Sequence, residues 1–464
     1  MYRKVCSVAA GLICLALSAQ DIILEQHVAK YWNQWRGKKV EVSDGHKYYP
    51  VTPELKAERL AHFKAILMRF APHIVEECNQ VDKVFNWKPD TYLGIARFGA
   101  KVTEQKPPHE CTSWVVMDNL TDGKSIIMHK NRDSSGRHLT LMRRAVPGKH
   151  AWIGNGALQS LFPTQGINDR GLVIMMNSGE AQSNADNSQY GLGTTIIARI
   201  LLEECATAED AVAHLKKIVL SNGYTHFESG SIWFIGDKEN VFIVEQSSRK
   251  LVAKKVASGA AVRANIYNYP EMQMFATTKY KDKIGNSQRA YTVLDFLLNK
   301  AWRQNGIITP LDSAAASRID TIEDAPKVYP PCGKATISAT TFVIDKEYPE
   351  YLSTAYMVFS NPGSSCYLPV PLCVRNIPVM ILDGSFSTYS FDLKDQKKPF
   401  LPPEELAALE KKLYARHAAA QEKARMILRT SRKYTTWDEA AKLLNDAFEQ
   451  NVRDIQAAMK KSAK

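Results

Sequence analysis

Paired cysteines are missing from this 464-residue chain. None of its eight cysteines forms a C-x-x-C pair, and there is no H-E-x-x-H segment, so the common ligand spacings of a zinc site are absent. Neither a G-x-S-x-G elbow nor a G-x-x-x-x-G-K-[ST] loop occurs, which removes the serine-hydrolase and P-loop signatures. No motif calls for a metal or a cofactor. RNP, zinc-finger and helix-turn-helix signatures are lacking too, so the net charge of +12 carries no nucleic-acid reading on its own. There is no internal repeat and no low-complexity tract. What remains is ordinary: 45 % hydrophobic and 23 % charged residues, the composition of a globular protein with a real core.

Long apolar runs are scarce as well. The run from Val5 to Ala19 is shorter than the ~20 residues that span a bilayer. It follows Met1-Tyr2-Arg3-Lys4, closes on Ala16-Leu17-Ser18 and gives way to Gln20-Asp21, the order of a secretory signal. Residues 1–18 are expected to be removed and the protein exported, periplasmic or secreted, with no stable membrane span. Cys6 and Cys14 leave with the signal. Cys78, Cys111, Cys205, Cys332, Cys366 and Cys373 remain, and an oxidising compartment leaves a Cys332 to Cys366 bridge open.

Helical spacing dominates up to Phe85. Thr52 and Pro53 look like a cap and first-turn proline for a helix to Phe70, with Leu55, Leu60, Phe63, Ile66 and Leu67 on one face. A second helix is expected from His73 to Phe85, and 102–109, with Pro107-Pro108, reads as a linker. Strands are expected at Cys111 to Met117, Ser125 to His129, Leu172 to Met176, Ser231 to Gly236, Asn240 to Glu245, Thr341 to Ile344 and Ala355 to Phe359. Helices fall at Thr194 to Cys205, Ala208 to Ile218 behind a Thr207/Asp210 capping box, and Asn286 to Trp302 with Val293, Leu294, Leu297 and Leu298 on one face. The tail from Pro402 is helical, with Trp437 as an anchor. Gly154-Asn155-Gly156 and Gly191-Leu192-Gly193 read as turns. Hairpins with helices in separate blocks favour an α+β fold, an antiparallel sheet layered with helices.

One stretch carries chemistry. Cys111-Thr112 opens a strand, Asp122-Gly123 turns the chain, and Lys130-Asn131-Arg132-Asp133 ends the returning strand. Cys111 and Asp133 are 22 residues apart, about two strands and a turn, so a hairpin can bring them together. Further on come Gly166-Ile167-Asn168-Asp169-Arg170-Gly171-Leu172, then Met176-Asn177, Ala264-Asn265 and Asn286-Ser287-Gln288-Arg289. On the residues alone, Cys111 could equally be core or half of a disulfide. Asp133 could cap a turn, Arg289 could face solvent, and Asn177 and Asn265 could satisfy loop backbone.

In this order the segments resemble the cysteine N-terminal-nucleophile hydrolases, the superfamily of choloylglycine hydrolase, penicillin V acylase, isopenicillin N acyltransferase and the cysteine dipeptidases. The resemblance runs from about Asp90 to Leu372. It implies a four-layer αββα sandwich and a precursor cut before Cys111, whose thiolate attacks an amide while its own α-amine carries the proton. It assigns Asp133 to hold that amine, Asn177 and Asn265 to donate to the oxyanion, and Arg289 to stand near the thiol and orient Asp133. Lys130 departs from the Arg of bile-salt hydrolases, and Glu110 from the Gly of the acyltransferase branch. The segment before Cys111 looks like that branch's amino-terminal chain, whereas Tyr367-Leu368-Pro369-Val370-Pro371 and the tail look like the dipeptidase branch.

The expected divisions are therefore a signal at 1–18, an N-terminal helical chain at 19–110, a catalytic domain at 111–400 and a C-terminal helical extension at 401–464. The expected activity is cleavage of a linear amide in a small molecule through a Cys111 thioester. A dipeptidase and a non-catalytic exported binding protein are the alternatives, and a homo-oligomer stays open.

Overall fold

The computed structural model describes residues 24–32, 35–37, 40–43, 52–99, 111–134, 136, 139–179, 191–221, 223–224, 230–276, 283–304, 306–430 and 434–462. The expected signal, the linker at 102–109 and Glu110 lie outside them. Helices come first: α1 (Leu24–Tyr31), α2 (Pro53–Phe70), α3 (Pro72–Phe85) and α4 (Thr91–Phe98). The start of α2 is the one expected. Thr52 accepts the Leu55 amide at 3.3 Å, and Pro53 sits where its missing N–H is not needed.

The strands follow as β1 (Thr112–Met117), β2 (Ser125–Asp133), β3 (Leu139–Arg144), β4 (Trp152–Ala157), β5 (Gln165–Asn168) and β6 (Val173–Gly179). Next are β7 (Gly230–Gly236), β8 (Val241–Gln246), β9 (Leu251–Lys255), β10 (Gly259–Arg263), β11 (Thr336–Asp345), β12 (Thr354–Val358) and β13 (Leu368–Pro371). They form a six-stranded sheet, β10-β1-β2-β11-β12-β13, and a seven-stranded sheet running β3 to β9 in sequence order. Alternation along each strand sorts the side chains. Val115, Met117, Ile126 and Met128 of the first sheet meet Ile153, Val173, Met175 and Phe234 of the second in one core.

The outer face of the second sheet, with Trp152, Ile174, Trp233 and Ile235, lies under α5 (Thr194–Glu204) and α6 (Ala208–Leu220). The outer face of the first, with Trp114, Val116 and Ile127, lies under α7 (Lys283–Arg303) and α8 (Pro310–Ala316). The layers are therefore helix, sheet, sheet, helix, the αββα order expected. Helices α9 (Ser385–Asp395), α10 (Pro403–Thr430) and α11 (Tyr434–Ser462) follow, and their Phe386, Leu413, Phe448 and Val452 extend the inter-sheet core. The Trp437 ring packs against Tyr351 with centroids 5.6 Å apart and planes tilted by 59°, as an anchor should.

Several expectations change. Gly154 and Gly156 are in the middle of β4, not in turns. A Cβ on Gly154 would stand 2.5 Å from the Gln165 carbonyl oxygen, so the close approach of β4 to β5 requires glycine there. Leu298 is exposed, because α7 turns Val293, Leu297 and Ala301 to the sheet instead. All six described cysteines are free thiols, so Cys332 and Cys366 are not bridged. Cys332 donates to Asn361 Oδ1 at 3.4 Å instead.

The N-terminal helices join the outer layer of the second sheet. Val28, Trp32, Phe63, Leu67 and Cys78 share a buried cluster with Leu161, Phe162, Ile197 and Leu201. An ion cluster lies within it. Arg199 of α5 pairs with Glu77 of α3 at 2.7 Å and with Glu203 at 2.8 Å, and Arg144 also pairs with Glu77. Glu203 in turn meets His73 at 2.7 Å and accepts from Trp152 Nε1 at 3.0 Å. Burial opposes the charge of Glu203, but Arg199 overrides it and brings the carboxyl down to about 2. Arg199→Met would strand two buried carboxylates, a loss expected to reach ~3–5 kcal/mol in chemical denaturation. An unchanged midpoint would remove this cluster from the account of how the N-terminal helices are held.

Candidate active site

The hairpin works as its arithmetic suggested. Asp118 (φ 55°) and Gly123 (φ 73°) turn the chain in the left-handed region, and β1 pairs with β2 in the register Thr112 to Asn131, Ser113 to Lys130. Extending that register sets Cys111 opposite Arg132, at the end of the face that looks into the inter-sheet space. Cys111 is 5 % exposed and Lys130 1 %.

Lys130 donates to the Met176 carbonyl and, at 3.1 Å, to Asn177 Oδ1. Its charge also interacts with that of Cys111. Burial lowers the Lys130 ammonium from its ordinary range, and the charge of Cys111 opposes that shift. Arg132 is in the same position: burial lowers it, while Cys111 and Asp133 support its charge. Two buried cations thus lie near the thiol.

Asp133 ends β2 and is buried. A register shift in β11 between Thr336 and Ser338 sets Thr336 opposite Asp133, and Thr336 Oγ1 donates to Asp133 Oδ1 at 2.7 Å. Asn177, on β6, crosses between the sheets. Its Oδ1 accepts from Ser113 Oγ at 2.7 Å and from Lys130, and its Nδ2 donates to the carbonyls of Arg263 and Ala264 at 3.2 and 3.1 Å. Asn265 Nδ2 donates to the Ser178 carbonyl at 2.7 Å. Arg289, 1 % exposed rather than facing solvent, donates to Asn265 Oδ1 at 3.1 Å and Asn286 Oδ1 at 2.8 Å. Asn286 also accepts the Asn265 amide at 3.0 Å. Arg289 therefore grips the loop that carries Asn265.

The neighbouring motif is structural. Asn168 Oδ1 accepts the amides of Arg170 and Leu172, and its Nδ2 donates to the carbonyls of Leu202 and Cys205. Gly171 completes that turn at φ 77°. The turn fixes where β6 starts and so where Asn177 ends up. On the opposite face of the first sheet, His129 stacks on Trp114 at 3.9 Å and bonds Thr341 and Asn131. Burial holds His129 down to about 3, so a neutral imidazole there supports the strand. Among the described residues no group of three or more His, Cys, Asp or Glu is placed to hold a metal ion.

Cys111, Lys130, Asp133 and Asn177 thus converge at one end of the sandwich, with Asn265 and Arg289 as an adjoining group tied to β6 through Ser178. Sequence reasoning left out Ser113, Arg132, Asn286 and Thr336, and noted Lys130 only as a departure. The alternation of β2 would have shown that Lys130 and Arg132 share the face of Cys111.

Residues 120–308 match the family described as acyl-coenzyme A:6-aminopenicillanic acid acyl-transferase. That match covers less than half of the chain, so over this segment the chain resembles the family. Similar solved structures include penicillin V acylase from Agrobacterium tumefaciens, at 15 % identity over 56 % of this chain and 86 % of that one, with a TM-score of 0.35. A mutant of conjugated bile acid hydrolase from Clostridium perfringens has 12 % identity over 59 % and 94 %, with a TM-score of 0.37. The Caenorhabditis elegans ortholog of N-acylethanolamine-hydrolyzing acid amidase has 14 % identity over 52 % and 97 %, with a TM-score of 0.35. No curated protein matches the chain at a significant level of sequence similarity.

Lys130→Met removes the ammonium beside Cys111 and leaves Met176 and Asn177 without its hydrogen bonds. Alkylation of Cys111 by iodoacetamide at neutral pH is expected to slow by roughly tenfold, and Lys130→Arg to retain most of the rate. Equal rates in all three proteins would mean that Lys130 does not act on the thiol.

Proposed function

We propose that the protein is an exported, self-processing amidohydrolase that cleaves linear amides other than ordinary internal peptide bonds through a thioester on Cys111. The observation that carries this reading is the position of Cys111: buried, one residue before a strand paired on both sides, and facing two cations. Export rests on the basic start and apolar run at 1–18, and self-processing on the resemblance.

In the proposed cycle, cleavage of Glu110-Cys111 frees the α-amine of Cys111, a group type that titrates at about 7.7 to 8.0. The thiol proton passes to this amine, the sulfur bonds to the substrate carbonyl carbon, and the C–N bond breaks as the leaving nitrogen takes the proton. Water then cleaves the thioester, releasing the acid and restoring the thiol. Asp133 would hold the amine, with Thr336 fixing its other side. Asn177 and Asn265 are the proposed oxyanion donors, an interaction whose loss typically costs ~10² to 10³ in rate. Asn177 would reach the oxyanion by releasing one of its two carbonyls. Arg289 would act through Asn265 by holding its side chain in place.

The chain divisions follow the same reading: 19–110 as an N-terminal chain that stays docked after cleavage, 111–400 as the catalytic domain and 401–464 as an extension. N-acyl amino acids, acylated antibiotics and small peptide amides are the proposed substrates. N-terminal sequencing and intact mass of the mature protein are expected to show a new terminus at Cys111. Cys111→Ala should stay uncut and lose turnover of N-acylated amines, with dipeptides assayed alongside. An uncut, inert wild-type chain, or turnover in Cys111→Ala, refutes the proposal.

A further inference from the structure

A second cavity lies away from Cys111, where α1 meets β3 and the segment leading to α9. It measures about 100 Å³, and Leu24, Leu141, Leu158, Leu161, Ile377 and Leu382 supply its apolar walls. Its polar lining is one-sided. His27, Trp32, Arg143, Arg144 and Arg375 face it, and no carboxylate is among its lining residues that are described. Thr140 and Ser160 also line it, but their hydroxyl hydrogens go to the carbonyls of Ile381 and Phe162.

Three donor atoms around it are unpaired among the described residues. Trp32 is 1 % exposed, and its indole Nε1 has no hydrogen-bond partner among the described residues. Arg144 pairs with Glu77 and Arg375 with Asp438, each through Nη2, while the Nε of both is buried without a partner. A buried donor left unpaired is destabilising, so three around one cavity mark a place for an acceptor. Guanidinium edges and an indole N–H suit carboxylate oxygens, and the leucine and isoleucine walls suit a hydrocarbon tail. A cavity of about 150 Å³ holds benzene, so the tail here is short.

We propose that this cavity is a binding site for a small carboxylic acid of about four to six carbons, distinct from the thiol site and independent of the amidohydrolase reading. The bound acid would bridge α1 to β3 and so fasten the N-terminal helices to the second sheet.

Calorimetric titration of the full-length protein, with Cys111 alkylated to block binding at the thiol, tests this. Butanoate, hexanoate, decanoate and hexylamine are the probes. Hexanoate is expected to bind with a Kd below about 1 mM, more tightly than decanoate, and hexylamine not to bind. Trp32→Phe and Arg375→Met should each weaken hexanoate roughly tenfold. Leu158→Trp, which fills the cavity, should abolish binding, and because Trp32→Phe is nearly isosteric the test survives if the filled variant does not fold. Absence of saturable binding, equal binding in Trp32→Phe and wild type, or equal binding of hexylamine overturns the proposal. A cavity that holds only water gives the first of these results.

Discussion

The end of the sandwich that holds Cys111 is organised around a buried ammonium. Lys130 projects from the central hairpin into the space between two sheets, where an unpaired charge would not be tolerated. Its hydrogen bonds to Met176 and Asn177 cross from one sheet to the other, and Asn177 passes the connection to Ser113 and to the carbonyls after β10. Away from this end the inter-sheet space is filled by Val115, Met128, Met175 and Phe234, which fix the sheet spacing but no chemistry. The polar end is therefore where two nonspecific apolar faces acquire a single alignment. The thiol lies beside the group that sets it.

A second charged cluster, around Arg199, does comparable work on the outside of the second sheet. The two clusters differ in composition. Arg199 faces two carboxylates and a second cation, Arg144, shares one of them, so the cluster is close to neutral and suits a static contact. At the Cys111 end two cations face one carboxylate and a thiol. An excess of positive charge in a buried site is costly unless it is paired, so this end suits an anionic group. Position 130 also matters chemically: a lysine can lose its proton where an arginine cannot, so this site can change its charge in a way that an arginine-bearing one would not.

Much of this was legible locally. The α2 boundaries followed from Thr52, Pro53 and the apolar spacing, and the β1 to β2 hairpin from an Asp-Gly turn between apolar runs, because both signals act within a few residues. Strands β3 to β5 were not legible. They are short, β4 contains two glycines that read as turns, and only the pressure of β5 against β4 makes Gly154 a strand residue. In the site, Cys111 and Asp133 could be paired by counting along a hairpin. The contact of Lys130 with Asn177 spans the inter-sheet gap, and the triangle of Asn265, Asn286 and Arg289 joins a loop to a helix start. Neither leaves a periodic trace. The exposed Leu298 shows the converse: helical spacing defines a stripe, but the width of the sheet beneath decides how much of it is covered.

The position of Cys111 also bears on whether a cut before it could be tolerated. The ladder of β1 begins at Thr112 and Ser113, which pair with Asn131 and Arg263, so among the described residues the strand pairing starts after residue 111. The helices upstream are held by other means. Phe63 and Leu67 are buried against α5 and the loop at Leu161 and Phe162, each such side chain contributing ~1.5–3 kcal/mol, and Glu77 is tied to Arg199 and Arg144. Severing the chain at 110 would therefore cost the fold a covalent link but no layer, and would leave the new amine at the end of a strand already locked in register. That separation between what holds the fold and what would be cut is the physical condition a self-processing enzyme has to meet.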